Sequence, residues 1–331
     1  MADTLVRTLA EWGQFFKDSG QIHDVIELMD QDNSINDDIP WMEANQTDGH
    51  KSVIRTSLPT IYWRRLYQGV PRSKTGISQV KDACALMEAR NTIDVKLLQL
   101  HGSQAASYRA QEDRGFLEAF RQKLATTLFY GNSNTNVDEF NGLDMRYPLN
   151  SSPGVVDAAG SGSQCTDMWG IVWGGTDVHG IFPKDSKAGL SMRVLPENDT
   201  LDASGNPFRS VDTLFEWNVG LTVRDWRAVV RICNIDTTKL TLAKGETGFV
   251  DLHRLTIQAK NKIPTAKRNR LTWYCNQDVM TALELQASDA GNVQLMYGEL
   301  FNSKNVPFLH GRPVRQCDAI LSTQSALTAL S

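Results

Sequence analysis

The sequence predicts an α+β body with two extensions that lack a core of their own, and three observations carry that reading. One long helical stripe sits in the first half of the chain. A series of short alternating strands follows it. Two polar or charged segments ahead of the helix hold too few apolar residues to fold alone.

Taken in order, Leu5, Leu9, Trp12 and Phe16 fall at spacings of four, three and four and predict an amphipathic helix. Ile22, Val25, Ile26 and Met29 predict a second, shorter one. From Gln31 to His50 the chain is polar, acidic and rich in turn residues, with Ile35, Ile39, Trp41 and Met42 as its apolar anchors. Such a stretch cannot bury enough surface to hold itself and reads as an arm that lies on something else. Residues 51–80 place β-prone runs on either side of the tip GVPRSKTG and predict a charged two-stranded excursion bearing Arg64, Arg65, Arg72 and Lys74. A two-stranded ribbon is at best marginally stable in water, so it too wants a partner.

From about Gln79 to Leu100 the pattern predicts a helix and then a short extended run. Phe116, Phe120, Leu124 and Leu128 then recur every four residues, with Leu117 beside them and Glu112, Asp113, Arg121 and Lys123 opposite. This predicts a helix over 103–130, about 40 Å long, with Gly131 as a left-handed stop. The stretch LFYGNSNTNVDEFNGL, with Asn132, Asn134, Asn136 and Asn141, reads as a turn-rich loop that re-anchors through Phe140 and Leu143.

Residues 150–165, NSSPGVVDAAGSGSQC, read as a linker and the best domain boundary. Two extended runs split by Gly174-Gly175 predict a hairpin. Further strands are expected at 189–195, 208–223 and 226–235, helices near 247–260 and 277–288, and a closing pair of strands around His310-Gly311-Arg312-Pro313.

Composition narrows the function. With 41% hydrophobic and 22% charged residues the chain is globular, and its net charge of −4 argues against a protein dedicated to wrapping nucleic acid. The five cysteines are dispersed and odd in number, so no zinc knuckle, redox pair or full disulfide framework is expected; they read as isolated buried thiols in a reducing compartment. No stretch approaches the roughly 20 apolar residues of a membrane span, and the first twenty residues, with Asp3 and Glu11, do not read as a signal peptide. The sequons at Asn45, Asn150 and Asn198 are then chance patterns.

No catalytic, cofactor or metal residue emerges. The six histidines form neither HxH nor HExxH. Gly160-Ser161-Gly162 has Cys165 where a dinucleotide fingerprint needs a third glycine. Asp30, Asp32, Asp37 and Asp38 lack the glycine and terminal glutamate of a calcium loop. The most basic stretch, AKNKIPTAKRNRL, reads as a solvated loop around Pro264, the alternative being a contact with phosphate or an acidic neighbour. Trp169, Trp173, Trp217, Trp226 and Trp273 sit in strand-like runs and are expected in the core. Trp12, Trp41 and Trp63 sit where no local core exists and either fold back on the body or anchor a neighbouring chain; with Phe16, Arg64, Arg65, Arg72 and Lys74 they are the candidates for contact with a neighbour.

Four stretches resemble a known family: HKSVIRTSLPTIYWRRLYQGVPRSKTGISQVKD, LFYGNSNTNVDEFNGL, WGGTDVHGIFPKDSKAGL and FLHGRPVRQCDAIL. In content, order and spacing they resemble tailed-phage major capsid proteins with the Johnson (Hong Kong 97-like) fold, especially those of short-tailed phages of the Bordetella BPP and epsilon-fifteen types. The resemblance implies an N-terminal arm over 1–50 and an extended loop over 51–80. It implies a peripheral domain over 81–165 containing the spine helix, and an axial domain over 166–331 whose closing segment can return to the peripheral domain. It further implies pentamers and hexamers forming an icosahedral shell, assembled in the bacterial cytoplasm around double-stranded DNA held by weak contacts. The implied partners are a portal, a scaffold or maturation protease and a decoration protein, with no membrane and no cofactor. An accessory virion component and an enzyme of unassigned class are the alternatives. The Lys, Asn and Glu of the covalent crosslink found in some relatives do not map onto this sequence.

Overall fold

The computed structural model describes residues 31–202, 204–242, 244–288, 295–300 and 303–328, with backbone alone at 101, 295–300 and 303–306. The two helices expected between Leu5 and Met29 lie outside these residues.

A short helix, α1 (Ile35–Asp38), precedes strands β1 (Trp41–Glu43), β2 (Gly49–Ser57) and β3 (Gly76–Asp94). Helices α2 (Val95–His101), α3 (Ala105–Tyr130) and α4 (Leu143–Arg146) follow. Next come β4 (Val155–Asp157), β5 (Cys165–Val172), β6 (Val178–Phe182), β7 (Ser191–Val194), β8 (Asn198–Leu201), β9 (Pro207–Val223) and β10 (Val229–Asp236). The chain closes with α5 (Leu252–Lys262), β11 (Leu271–Cys275), α6 (Gln277–Ser288), β12 (Leu295–Leu300), β13 (Ser303–Leu309) and β14 (Arg312–Gln316).

The described residues divide into two compact units, one including Leu86–Leu124 and Gly189–Asn218, the other including Asp32–Ala85, Ala125–Ala188 and the described residues from Val219 onward. In the first, the predicted stripe of α3 packs as its four-residue spacing requires. Phe116 stacks on Phe215 with ring centroids 5.4 Å apart, and Phe120 and Leu124 are buried. Leu117, expected beside them, is turned outward. Strands β7 and β8 pair antiparallel with the first half of β9. Polar ties reinforce this packing: Asn91 donates to Asp113 at 2.9 Å, and Arg90 pairs with Asp212 at 3.7 Å.

In the second unit one sheet runs β12-β13-β14-β11-β5-β10-β4. Every residue of β5 and β10 is buried, which explains their near-continuous apolar runs. Helix α5 packs on β10 and β4 through Leu252, Thr256 and Ala259. One cation lies inside this core: Arg231 is fully buried between Asp167 at 2.5 Å and Asp144 at 2.6 Å, donates to the Tyr147 carbonyl, and stacks over Trp169. A second set of strands runs in the order β1-β6-β9-β3-β2, within which β1 and β6 pair in parallel and β2 and β3 antiparallel.

Several expectations are corrected. Residues 79–94 are not helical but belong to the 19-residue strand β3, whose first part pairs with β2 from Gly76 to Ala83; its place in the sheet between β2 and β9 overrides the helix preference of Ala85-Leu86-Met87-Glu88. The hairpin expected at Gly174-Gly175 does not form, because β5 and β6 lie in different sheets. The turn between them is held from afar. Lys267 and Arg270 both bind the buried Asp177 carboxylate, and Arg270 also donates to the Trp173 carbonyl at 3.2 Å. The Gly/Ser-rich stretch 150–165 contains β4, whose Val155 and Val156 are buried against β10, and both of its flanks belong to the second unit. Gly131 ends α3 by close approach and not by a left-handed turn: a Cβ there would meet the Thr127 and Phe140 carbonyls, and Gly142 N–H donates to Gly131 O at 2.8 Å. Trp226, expected in the core, is half exposed, whereas Trp169 and Trp273 are fully buried.

Candidate interaction surface

Between β2 and β3 the chain leaves regular structure for residues 58–75. The root of this ribbon is an antiparallel ladder from Gly49↔Ala83 to Ser57↔Gly76, with a register shift between Arg55 and Ser57. One face of the root is covered, with Ser52 and Asp82 buried, and the other carries Val53 and Ile77 in the open. Its outer edge is closed by the Lys81–Asp48 ion pair.

The tip has few internal ties. Ser73 Oγ donates to the Thr60 carbonyl at 2.9 Å, and Ser57 Oγ accepts from Gly76 N–H at 2.9 Å. A turn at Arg65–Gln68 (N···O 3.3 Å) places Tyr67 in the left-handed region at φ 66, uncommon for a residue with a side chain. No apolar side chain of the tip reaches a core: Trp63 is 104% exposed, Tyr67 103%, Ile61 90% and Leu66 85%, with Leu58 and Val70 also open. Scattered single exposed hydrophobics are ordinary; this many within thirteen consecutive residues form a candidate interaction patch.

Charge sharpens the reading. Residues 51–81 contain seven Lys or Arg and no Asp or Glu, so the remainder of the chain carries −11 against −4 for the whole. Arg64, Arg65, Arg72 and Lys74 are all exposed, and none forms an ion pair among the described residues. The tip therefore combines aromatic anchors with unneutralised cations, a composition typical of interface hot spots. Trp63 and the four cations were expected here. Leu58, Ile61, Leu66 and Tyr67 were missed, although the absence of any acid between Lys51 and Lys81 was a visible signal that the whole segment faces one kind of partner.

The other expected contact residues fall elsewhere. Trp12 and Phe16 lie outside the described residues. Trp41 is half-buried on β1, where its ring covers Gly180 so closely that a Cβ there would lie 2.5 Å from it. The 32–50 stretch packs in part on its own chain. Ile35 and Ile39 are buried, Asn33 bridges to Cys317, and Asp38 receives the Tyr274 hydroxyl at 2.5 Å and the Arg315 guanidinium. Burial raises the Asp38 carboxyl above its ordinary range despite these two donors.

The remaining basic and polar motifs are structural. Lys260 donates to the His310 carbonyl at 3.3 Å, Arg268 to the Ile263 carbonyl at 2.9 Å, and Lys267 binds both Asp177 and Asp225. In the Asn-rich loop the side chains cap the backbone: Asn132 accepts from Asn134 N–H at 2.9 Å and Asn141 from Ser133 N–H at 2.9 Å, while Phe140 and Leu143 are buried as expected. Among the described residues no cluster of three His, Cys, Asp or Glu could hold a metal, and no helix is long and apolar enough to cross a membrane.

A family model described as major capsid protein GP7 matches residues 17–328. A chain from the near-atomic structure of bacteriophage Epsilon15 is 29% identical, covers 99% of this chain and 99% of its own length, and superposes with a TM-score of 0.77. A capsid chain of a native GTA particle is 11% identical over 70% of this chain and 99% of its own, with a TM-score of 0.46. A chain from the capsid of Myoviridae phage XM1 is 9% identical over 67% of this chain and 98% of its own, with a TM-score of 0.44. No curated protein matches.

Proposed function

The chain belongs to the major capsid protein GP7 family and is a tailed-phage major capsid protein with the Johnson (Hong Kong 97-like) fold; from that premise we propose that its ribbon is the brace by which one copy holds the next. A shell protein needs a stable body and extensions whose surface is completed by neighbours. The body here is complete, with two fully buried central strands and a satisfied internal ion network. The tip is not, and the observation that carries the proposal is the exposure of Trp63, Tyr67, Ile61 and Leu66 among cations without an acid.

The occupant that fits is a second copy of this chain. Its surface outside the ribbon is strongly acidic overall, which complements a tip of the opposite sign. Burying each large apolar side chain of the tip would contribute about 1.5–3 kcal/mol before the costs of association are subtracted. Each such contact is modest, and closed symmetry multiplies it around a ring and across a shell.

In the complete particle, copies assemble as pentamers and hexamers into an icosahedral shell around double-stranded DNA, formed in the host cytoplasm. In that assembly residues 1–50 act as an arm, 51–80 as the extended loop, 81–165 as the peripheral domain with the spine helix and 166–331 as the axial domain. An acidic chain suits a container that confines DNA without gripping it. Portal, scaffold or protease, and decoration proteins are the further partners. Negative-stain imaging of the purified chain, alone and co-expressed with a scaffold, tests this: rings, sheets or shells are expected, and monomers under all salt conditions would overturn it.

A further inference from the structure

We propose that the root of the ribbon carries an acid-sensitive latch, formed by His50 and His179 across Asp82, which loosens the ribbon from the body when both imidazoles take up protons. This rests on the reading of the ribbon as an intersubunit brace and concerns its regulation.

The latch is assembled from four strands and one short helix of the second unit. His50 stands on β2, where the ribbon leaves the body, and is in register with Asp82 on β3. His179 stands on β6, is 1% exposed, and is in register with Thr222 on β9. The Thr222 hydroxyl donates to Asp82 Oδ2 at 2.9 Å, and Arg146 on α4 pairs with Asp82 Oδ1 at 2.9 Å. The two imidazoles meet edge to face with centroids 5.9 Å apart. Arg224, just beyond β9, acts on both rings and donates to the Gly175 carbonyl at 3.1 Å. Cys84 on β3 and the Asp48–Lys81 pair flank the outer side, and Glu43 on β1 is taken up by the Asp185 amide.

This arrangement accepts neutral imidazoles and resists charged ones. Asp82 is the carboxylate that acts on both rings, and it is already engaged by Arg146 and Thr222. Two imidazolium ions would place four cations, with Arg146 and Arg224, around it. The Nδ1 atoms of both rings are buried without a hydrogen-bond partner, so protonation would also create unsatisfied buried donors. Burial is the main cause holding both histidines below their ordinary value; the Arg224 charge adds to it at His50, and the opposite imidazole and then Arg224 at His179, while Asp82 opposes at His50 and a Gly174 backbone hydrogen bond and then Asp82 oppose at His179.

The sign follows from linkage. Each ring binds fewer protons when folded than when free, so its contribution to stability is complete above the free-histidine value of about 6.5 and is lost as pH falls below it. For each proton taken up on opening, one unit of pH shifts the opening equilibrium by up to about tenfold.

Hydrogen exchange of the full-length protein at pH 7.5 and 5.5, corrected for intrinsic rates, tests the latch. Peptides covering Lys51–Ser57 and Gly76–Asp82 are expected to lose protection by about tenfold or more at pH 5.5. The variant His50→Gln/His179→Gln should remove that response, while His253→Gln/His310→Gln, which alters a separate imidazole pair, should keep it. Should the double variant fail to fold, single His50→Gln at the half-buried position should reduce the response. A root equally protected at both pH values, or a His50→Gln/His179→Gln response like that of the wild type, overturns the latch. Imaging at pH 7.5 separates the two readings: shells that form normally but show no acid response leave the brace standing and sink the latch alone.

Discussion

Arg231 shows how tightly this body is specified at single positions. It is fully buried and its charge is met by Asp167 and Asp144, with Trp169 beneath. Arg231→Ala would leave Asp167 buried without its partner and is expected to cost about 3–5 kcal/mol in urea unfolding. Arg231→Met combined with Asp167→Leu should recover most of that loss, since a buried ion pair of this kind is often replaceable by apolar residues of similar volume. Gly131 acts through shape. Gly131→Ala drives a methyl into two backbone carbonyls that cannot retreat without moving the end of α3, and a loss of about 1–3 kcal/mol is expected by the same measurement. The residue type at this stop was readable from the sequence, but the reason was not: the close partner, Phe140, enters through a loop whose path no local pattern reveals.

Elements whose cause is local were legible, and those whose cause is distant were not. The stripe Phe116, Phe120, Leu124, Leu128 predicted α3 to within two residues of its observed start and at its end, because one packed face dictates it. The closing pair β13 and β14 and the long alternating strand β9 were likewise readable. Strand β3 was not, because its extended form comes from its place in a sheet between β2 and β9, the latter more than a hundred residues on. The turn after β5 misled for the same reason, its direction being set by Lys267 and Arg270 some ninety residues on. The ribbon yields the clearest prediction at this scale. Its tip makes no core contact, so replacing residues 60–73 by a short Gly-Asn turn is expected to leave the thermal midpoint of the body unchanged within about 1 °C, a smaller shift than 1 kcal/mol would produce in a chain of this size. A fall of several degrees would show that the tip holds the body together.

For the whole molecule, a net charge of −4 conceals a segregation into a cationic ribbon and an acidic remainder. That segregation, together with a finished core and an unfinished tip, separates a protein that assembles from one that stands alone. The arm was legible only in part: residues 32–50 pack in part on their own body through Ile35, Ile39 and Asp38, anchors too few to reveal from sequence what they pack against. Because the tip's attraction has a charged component, assembly at low protein concentration should weaken between about 0.05 and 0.5 M salt as screening shortens its reach. Light scattering would follow this, and a salt-independent yield would assign the contact to apolar burial alone.

The most direct test compares sedimentation of the full chain with that of a variant carrying Trp63→Ala, Leu66→Ala and Tyr67→Ala. The wild type is expected to sediment as large closed particles, and the variant as folded single subunits with an unchanged circular dichroism spectrum. Shells from the variant in wild-type yield would contradict the claim that these exposed side chains brace one copy against the next.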